Sequence, residues 1–183
     1  TRPADAIHFV EREAPAYDEA AVLAKKAQKL IGTAAPSGDG CPGSRAMHIR
    51  HADSAPAAAA EQPSRLSQWP VQIKLVPTRA PYFDGAKLLI AADCTAYAYA
   101  AFHEKFIKGH ITLVGCPKLD SVDYSEKLTE IIRENDIKSV TIVRMEVPCC
   151  GGLEFAAKTA LQQSGKFIPW QVVTISTEGR ILD

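Results

Sequence analysis

Ser139–Leu161, SVTIVRMEVPCCGGLEFAAKTAL, decides how the rest of the chain is read. It opens on a β-branched apolar run, Val140-Thr141-Ile142-Val143, which has the composition of a buried strand. The run breaks at Pro148-Cys149-Cys150-Gly151-Gly152. Beyond the glycines, Leu153, Ala157, Ala160 and Leu161 recur at helical spacing, and Gly165 stands where a helix would stop. The segment spells strand, tight turn, helix, with two thiols in the turn. Two earlier stretches follow the same order. Leu88-Leu89-Ile90-Ala91-Ala92 runs into Asp93-Cys94 and then a helical segment, and Ile111-Thr112-Leu113-Val114 runs into Gly115-Cys116-Pro117. In a parallel sheet with crossover helices the strand ends share one edge, and ligand sites form there. Cys94, Cys116, Cys149 and Cys150 are thus expected at a single place.

Working outward, the pattern predicts strands over Lys87–Ala92, Ile111–Val114, Val140–Met145 and Gln171–Ser176. Helices are expected over Thr95–Ile107, Asp123–Asn135 and Leu153–Gln163, the second with Tyr124, Leu128, Ile131 and Ile132 on one face. Val71–Val76 alternates apolar and polar residues between two prolines, as an edge strand does. Pro81–Gly85 and Glu178-Gly179 read as turns. Strands alternating with helices of this length predict an α/β fold, a mostly parallel three-layer sheet with crossover helices of the Rossmann-like kind.

The N-terminal third differs. Residues 1–31 read as an arm, with an extended segment through Ile7, Phe9 and Val10 and a helix over Asp18–Leu30. Residues 32–68 carry most of the prolines and an alanine run, Ala57–Ala60, and read as a linker. The compact domain is expected over 69–183. Cys41, in Gly40-Cys41-Pro42-Gly43, and His48 and His51 lie in the linker without a partner pattern, and read as incidental.

The 183 residues are 46% hydrophobic, with 21 basic and 21 acidic side chains. No basic run is interleaved with aromatics, which argues against nucleic acid as a partner. No apolar run approaches the roughly 20 residues of a membrane span. Five cysteines are too sparse for a disulfide-stapled scaffold, and an odd number of them favours metal or redox chemistry in a reducing, cytoplasmic compartment.

Thiolates gathered at one edge repel one another, and helix N-termini there would offset part of that charge. Four of them suit tetrahedral zinc or an iron–sulfur cluster, and no CxxC pair is present to favour a zinc ribbon. Cys149 and Cys150 are adjacent, and a cluster several ångströms across accepts adjacent ligands more readily than one ion does. At least one of Gly151 and Gly152 is expected to have a positive φ or to touch the site closely. Zinc, a vicinal disulfide and plain burial of four core thiols stand as alternatives. Asp93 is a candidate to orient a ligand or cap the next helix, and Glu146 a candidate for burial near the site. Lys118 and Asp120 are candidates to tune charge, and His103 reads as a surface residue. Nothing matches GxGxxG, Walker A or GxSxG, which leaves nucleotide and acyl chemistry without support.

Leu88–Cys94 (LLIAADC), Gly115–Asp120 (GCPKLD) and Met145–Leu153 (MEVPCCGGL), preceded by Trp69–Pro77 (WPVQIKLVP), resemble the C-terminal region of ferredoxin-type iron–sulfur proteins of anaerobic microbes. In those proteins a domain with two 4Fe–4S clusters precedes an α/β domain of this kind. Ala6–Val22 is similar to the exit from that ferredoxin domain, and Gly40–Ser44 to the linker that follows. The resemblance implies an iron–sulfur redox or electron-transfer module, with a 4Fe–4S cluster held by Cys94, Cys116, Cys149 and Cys150. Its partner would be a redox protein or the ferredoxin domain itself. The ferredoxin CxxCxxC ligands are absent, so the chain resembles a product cut after that domain. A metal-dependent enzyme with an open coordination position, or a metal-free interaction domain with a redox-active vicinal pair, are the competing readings.

Overall fold

The computed structural model describes residues 62–182. The expected arm, the linker as far as residue 61, Cys41, His48 and His51 lie outside the described residues.

Within them, four parallel strands form one sheet: β1 (Ala86–Ala92), β2 (Ile111–Gly115), β3 (Ile137–Met145) and β4 (Trp170–Ile175), in the order β2-β1-β3-β4. The strands are near-continuous apolar runs because both faces are covered. Leu88, Leu89, Ile90 and Ala91 are all fully buried, as are Ile142 and Val143 on the neighbouring strand. Between the strands lie α1 (Thr95–Ala98), α2 (Pro117–Asp120), α3 (Tyr124–Glu134) and α4 (Gly151–Gln163). From β1 the chain goes to one neighbour, β2, and then crosses back over to β3, so β1 and β3 flank the point where the winding reverses. The sequence expectation of an α/β, parallel, three-layer sheet holds.

Side-chain alternation along the strands assigns the layers. Arg144 and Trp170 project from the face that carries α4, where Arg144 pairs with Glu154 and Lys158 lies over the Trp170 ring, 5.2 Å from its centroid. Helix α3 packs beside α4 and buries Leu128, Ile131 and Ile132, the face that its 3.6-residue period predicts. Asp123 caps α3 by accepting from the Ser125 N–H at 2.8 Å. On the other face, Thr141, Gln171 and Val173 border a cavity with Lys105 and Phe106.

Two expected elements differ. The helix over Thr95–Ile107 is broken: α1 ends at Ala98, Tyr99 is extended, and the chain resumes as a π-helical turn, His103–Ile107. The reason lies far along the chain. Gly179, in the left-handed region at φ 80°, closes so tightly on Ala98 that a Cβ there would run into the Ala98 carbonyl oxygen. The wider π turn then buries Phe106 and Ile107 together, with Phe106 5.1 Å from the Phe102 ring. The expected edge strand over Val71–Val76 is reduced to one bridge, Gln72 to Val114, followed by a turn that buries Ile73 and Val76 and leaves Leu75 exposed. Packing reaches back beyond Trp69. The buried Gln68 side chain donates to the Thr112 carbonyl at 2.6 Å and accepts from the Thr112 N–H at 3.3 Å, as a neighbouring strand would.

Candidate functional site

Strands β1, β2 and β3 end at Ala92, Gly115 and Met145, and a thiol follows each end: Cys94, Cys116, then Cys149 and Cys150. Ala92 pairs with Gly115, and Ala91 with both Val114 and Val143, so the three ends are level. The cysteines gather at the C-terminal edge where the winding reverses, the position at which open parallel sheets bind ligands. All four are free thiols. Cys94 is exposed, Cys116 and Cys149 half-buried and Cys150 buried.

Local backbone accounts for the adjacent pair. Pro148–Cys150 is a 3₁₀ turn feeding directly into α4, with Cys150 at φ −77°, ψ −13°. In a helical turn neighbouring side chains diverge by about 120° rather than the near 180° of a strand, so both thiols stay on the site side. Neither glycine supplies a left-handed bend. Gly151 is helical at φ −59° with open space where a Cβ would be. Gly152 makes the close approach instead, with Pro117 Cβ 3.2 Å from the position its own Cβ would take. The start of α4 thereby seats against the turn that carries Cys116. Of the three helices expected to point N-termini at the site, α1 and α2 are single turns and only α4 is of full length.

The thiols sense one another. Burial pushes the Cys94 thiol up, and Cys116, Asp93 and Cys149 push it further in the same direction. Burial also pushes Cys150 up to about 11, against a backbone hydrogen bond at Met145 that pulls it down, with Cys149 and Cys94 adding to the rise. None of these influences comes from a lysine or arginine. A thiol whose folded pKa is raised contributes stability that is complete below its unfolded value and is lost as pH climbs through the folded one. In metal-free protein, urea unfolding should therefore show stability falling as pH rises from the ordinary thiol value of 9.0 towards about 11. Cys150→Ala should flatten part of that fall; an unchanged slope would show that Cys150 ionises like a free thiol.

Asp93 is half-buried and hydrogen-bonded to the Gln72 side chain, and burial raises its pKa. Its Oδ1 is enclosed and has no hydrogen-bond partner among the described residues. It does not cap α1, whose N-cap position is Cys94. Asp120 accepts the Tyr124 hydroxyl, while the Cys116 backbone is the other partner of that hydroxyl. Burial and Asp120 together hold the Tyr124 phenol well above its ordinary 10.0. Glu146, a candidate for burial, is exposed and instead accepts from the Thr177 N–H at 2.7 Å and its hydroxyl at 3.0 Å. The reason is its neighbour: Glu146 also extends the ladder to Ile175, so its side chain closes the β4 end rather than the thiol site. His103 is exposed, as expected of a surface residue, and its Nδ1 accepts from the Arg65 N–H at 3.2 Å.

Two residues of the site were not singled out for it from sequence. Tyr124 reads there as one of four apolar positions on α3, and Gln72 as the polar member of an alternating strand. The signal for Tyr124 is the glycine that makes room for it: a Cβ on Gly115 would lie 2.6 Å from the Tyr124 hydroxyl oxygen. Among the described residues no three His, Cys, Asp or Glu side chains are grouped so as to hold one metal ion.

The Rossmann-like domain family matches residues 80–183. An uncharacterized protein of Archaeoglobus fulgidus is 36% identical over 102 residues, which cover 55% of this chain and 71% of the relative. No solved structure matches. The level parallel strands, the winding reversal between β1 and β3 and this match agree: the chain belongs to the Rossmann-like domain family.

Proposed function

We propose that Cys94, Cys116, Cys149 and Cys150 hold an iron–sulfur cluster of the 4Fe–4S kind, and that the domain is a redox or electron-transfer module. The observation that carries this reading is a set of four thiols in electrostatic reach of one another, beside Asp93, with no lysine or arginine among the influences on Cys94 or Cys150. Four thiolates there need positive charge that the described side chains do not bring, and metal ions supply it. The spread of the donors fits a cluster better than zinc, because no three are grouped for a single ion whereas a cluster takes one thiolate at each corner. Such a cluster exchanges one electron at a time when bound. The chain's own part is to place the thiols, to aim the unpaired N–H groups at the start of α4 towards them, and to keep Cys150 dry. The turn after each strand also carries a large exposed apolar side chain, Tyr97, Leu119 and Phe155. A rim of that kind suits brief docking of a redox partner protein.

The test is anaerobic purification followed by iron, sulfide and zinc analysis. Iron and sulfide in matching amounts, with broad absorption near ~400 nm, are expected; zinc alone favours the enzyme with an open position. One observation favours a second reading: the side chains of Cys149 and Cys150 hydrogen-bond to each other. If the pair forms a vicinal disulfide without metal, oxidised protein loses two titratable thiols and contains no iron.

A further inference from the structure

The opposite edge of the sheet, where the strands begin, carries a second site. One cavity of about 350 Å³ lies over the starts of β1, β2 and β3, bordered by Ser67, Tyr82, Lys87, His110 and Lys138. Another of about 330 Å³ adjoins it, sharing Lys87 and His110 and adding Ser139, Thr141 and Gln171. No acidic residue borders either cavity; Asp84 and Asp136 are neighbours in sequence of lining residues but do not line it. Among the described residues neither Lys87 nor Lys138 has a carboxylate partner, whereas Lys74, Lys108 and Lys158 each have one. Two unpaired ammonium groups and an imidazole thus converge on one hollow.

A polar group there also lacks a partner. The Tyr82 hydroxyl borders the first cavity, is buried, and makes no hydrogen bond among the described residues. Burial raises its pKa, so it stays a donor. Buried polar groups are paired in the great majority of cases, by protein or by something bound. The backbone leaves the hollow open: Gly85 and Gly109 border it in the left-handed region, at φ 67° and 74°. At Gly85 a Cβ would meet the Lys138 Nζ at 3.1 Å, so glycine lets that ammonium fold in over the turn.

We propose that this cleft binds a small phosphate monoester. A dianion matches two lysines acting as point charges, with Tyr82 and Ser67 as neutral donors, and each cavity has the size of a small-ligand pocket. The seven residues of β1 set it roughly 20 Å from the thiols, at ~3.3 Å per residue, so it is a separate site.

The experiment is an amide NMR titration of the full chain with inorganic phosphate, and in parallel with glycerol phosphate, succinate and chloride, at constant ionic strength. Saturable shifts confined to Gly85, Gly109, His110 and their neighbours are expected with both phosphates. The exposed double substitution Lys87→Gln with Lys138→Gln should weaken them at least about tenfold with the spectrum otherwise unchanged. Tyr82→Phe should weaken them less. Equal shifts with succinate would overturn the choice of phosphate. Shifts matched by chloride, an absence of saturation, or full binding by the double variant would overturn the site.

Discussion

Serine at any one of positions 94, 116, 149 or 150 is expected to cut the iron and sulfide bound by anaerobically purified protein, whereas Cys41→Ser should leave both unchanged. Serine keeps the volume of cysteine and loses the soft, ionisable sulfur, so the comparison separates coordination from packing. Loss of an outer hydrogen-bond partner already weakens metal binding by about 10- to 100-fold, and loss of a direct ligand should weaken it no less. The exposed Cys94 is the cleanest of the four, because nothing in the core depends on its side chain. Cys150 is buried and its serine variant needs a parallel unfolding curve. If Cys149 and Cys150 differ, so that only one matters, three thiols remain as ligands and the open corner favours the enzyme over the electron carrier. Four serine variants with unaltered metal content would reduce the thiols to core residues.

Gly115→Ala should be among the most destabilising single methyl additions in the domain. The new Cβ would lie 2.6 Å from the Tyr124 hydroxyl oxygen and 2.8 Å from its ring carbon Cζ. Neither can retreat easily: the hydroxyl is held by Asp120 and the Cys116 backbone, and the ring is 2% exposed in the core. Overpacking of this kind costs about 1–3 kcal/mol. In a domain of this size each kcal/mol lowers the thermal midpoint by on the order of 5 °C. The turn bearing Cys116 should shift with it, so metal content should fall as well. Gly151→Ala is the control, since nothing lies within 4 Å of its added Cβ and its φ is already helical. Differential scanning calorimetry on the two variants decides: equal midpoints would mean that Tyr124 does not pin the β2 end.

Both predictions join what is local to what is not. The strands and most helices are legible from the chain alone because their signals are local: β-branched runs for β1 and β3, a 3.6-residue period for α3, and Gly165 in its left-handed conformation at φ 72° to stop α4. The common edge for Cys94, Cys116, Cys149 and Cys150 follows too, since parallel connection leaves level strand ends no other arrangement. The break after Ala98 was not legible, because its cause is Gly179, some eighty residues on. Nor was the role of Tyr124, whose ring satisfies the helical period equally well whether or not its hydroxyl holds a loop. Sequence by itself determined the α/β layout and which thiols share an edge, since hydrophobic period and Gly/Pro punctuation act over a few residues. Tertiary structure alone decided how the thiols are held: a 3₁₀ turn for the adjacent pair, Pro117 against Gly152, Tyr124 against Gly115, and Gln72 against Asp93. Each of those is a close approach between segments distant in the chain, and steric fit at such distances leaves no periodic trace in the residues that make it.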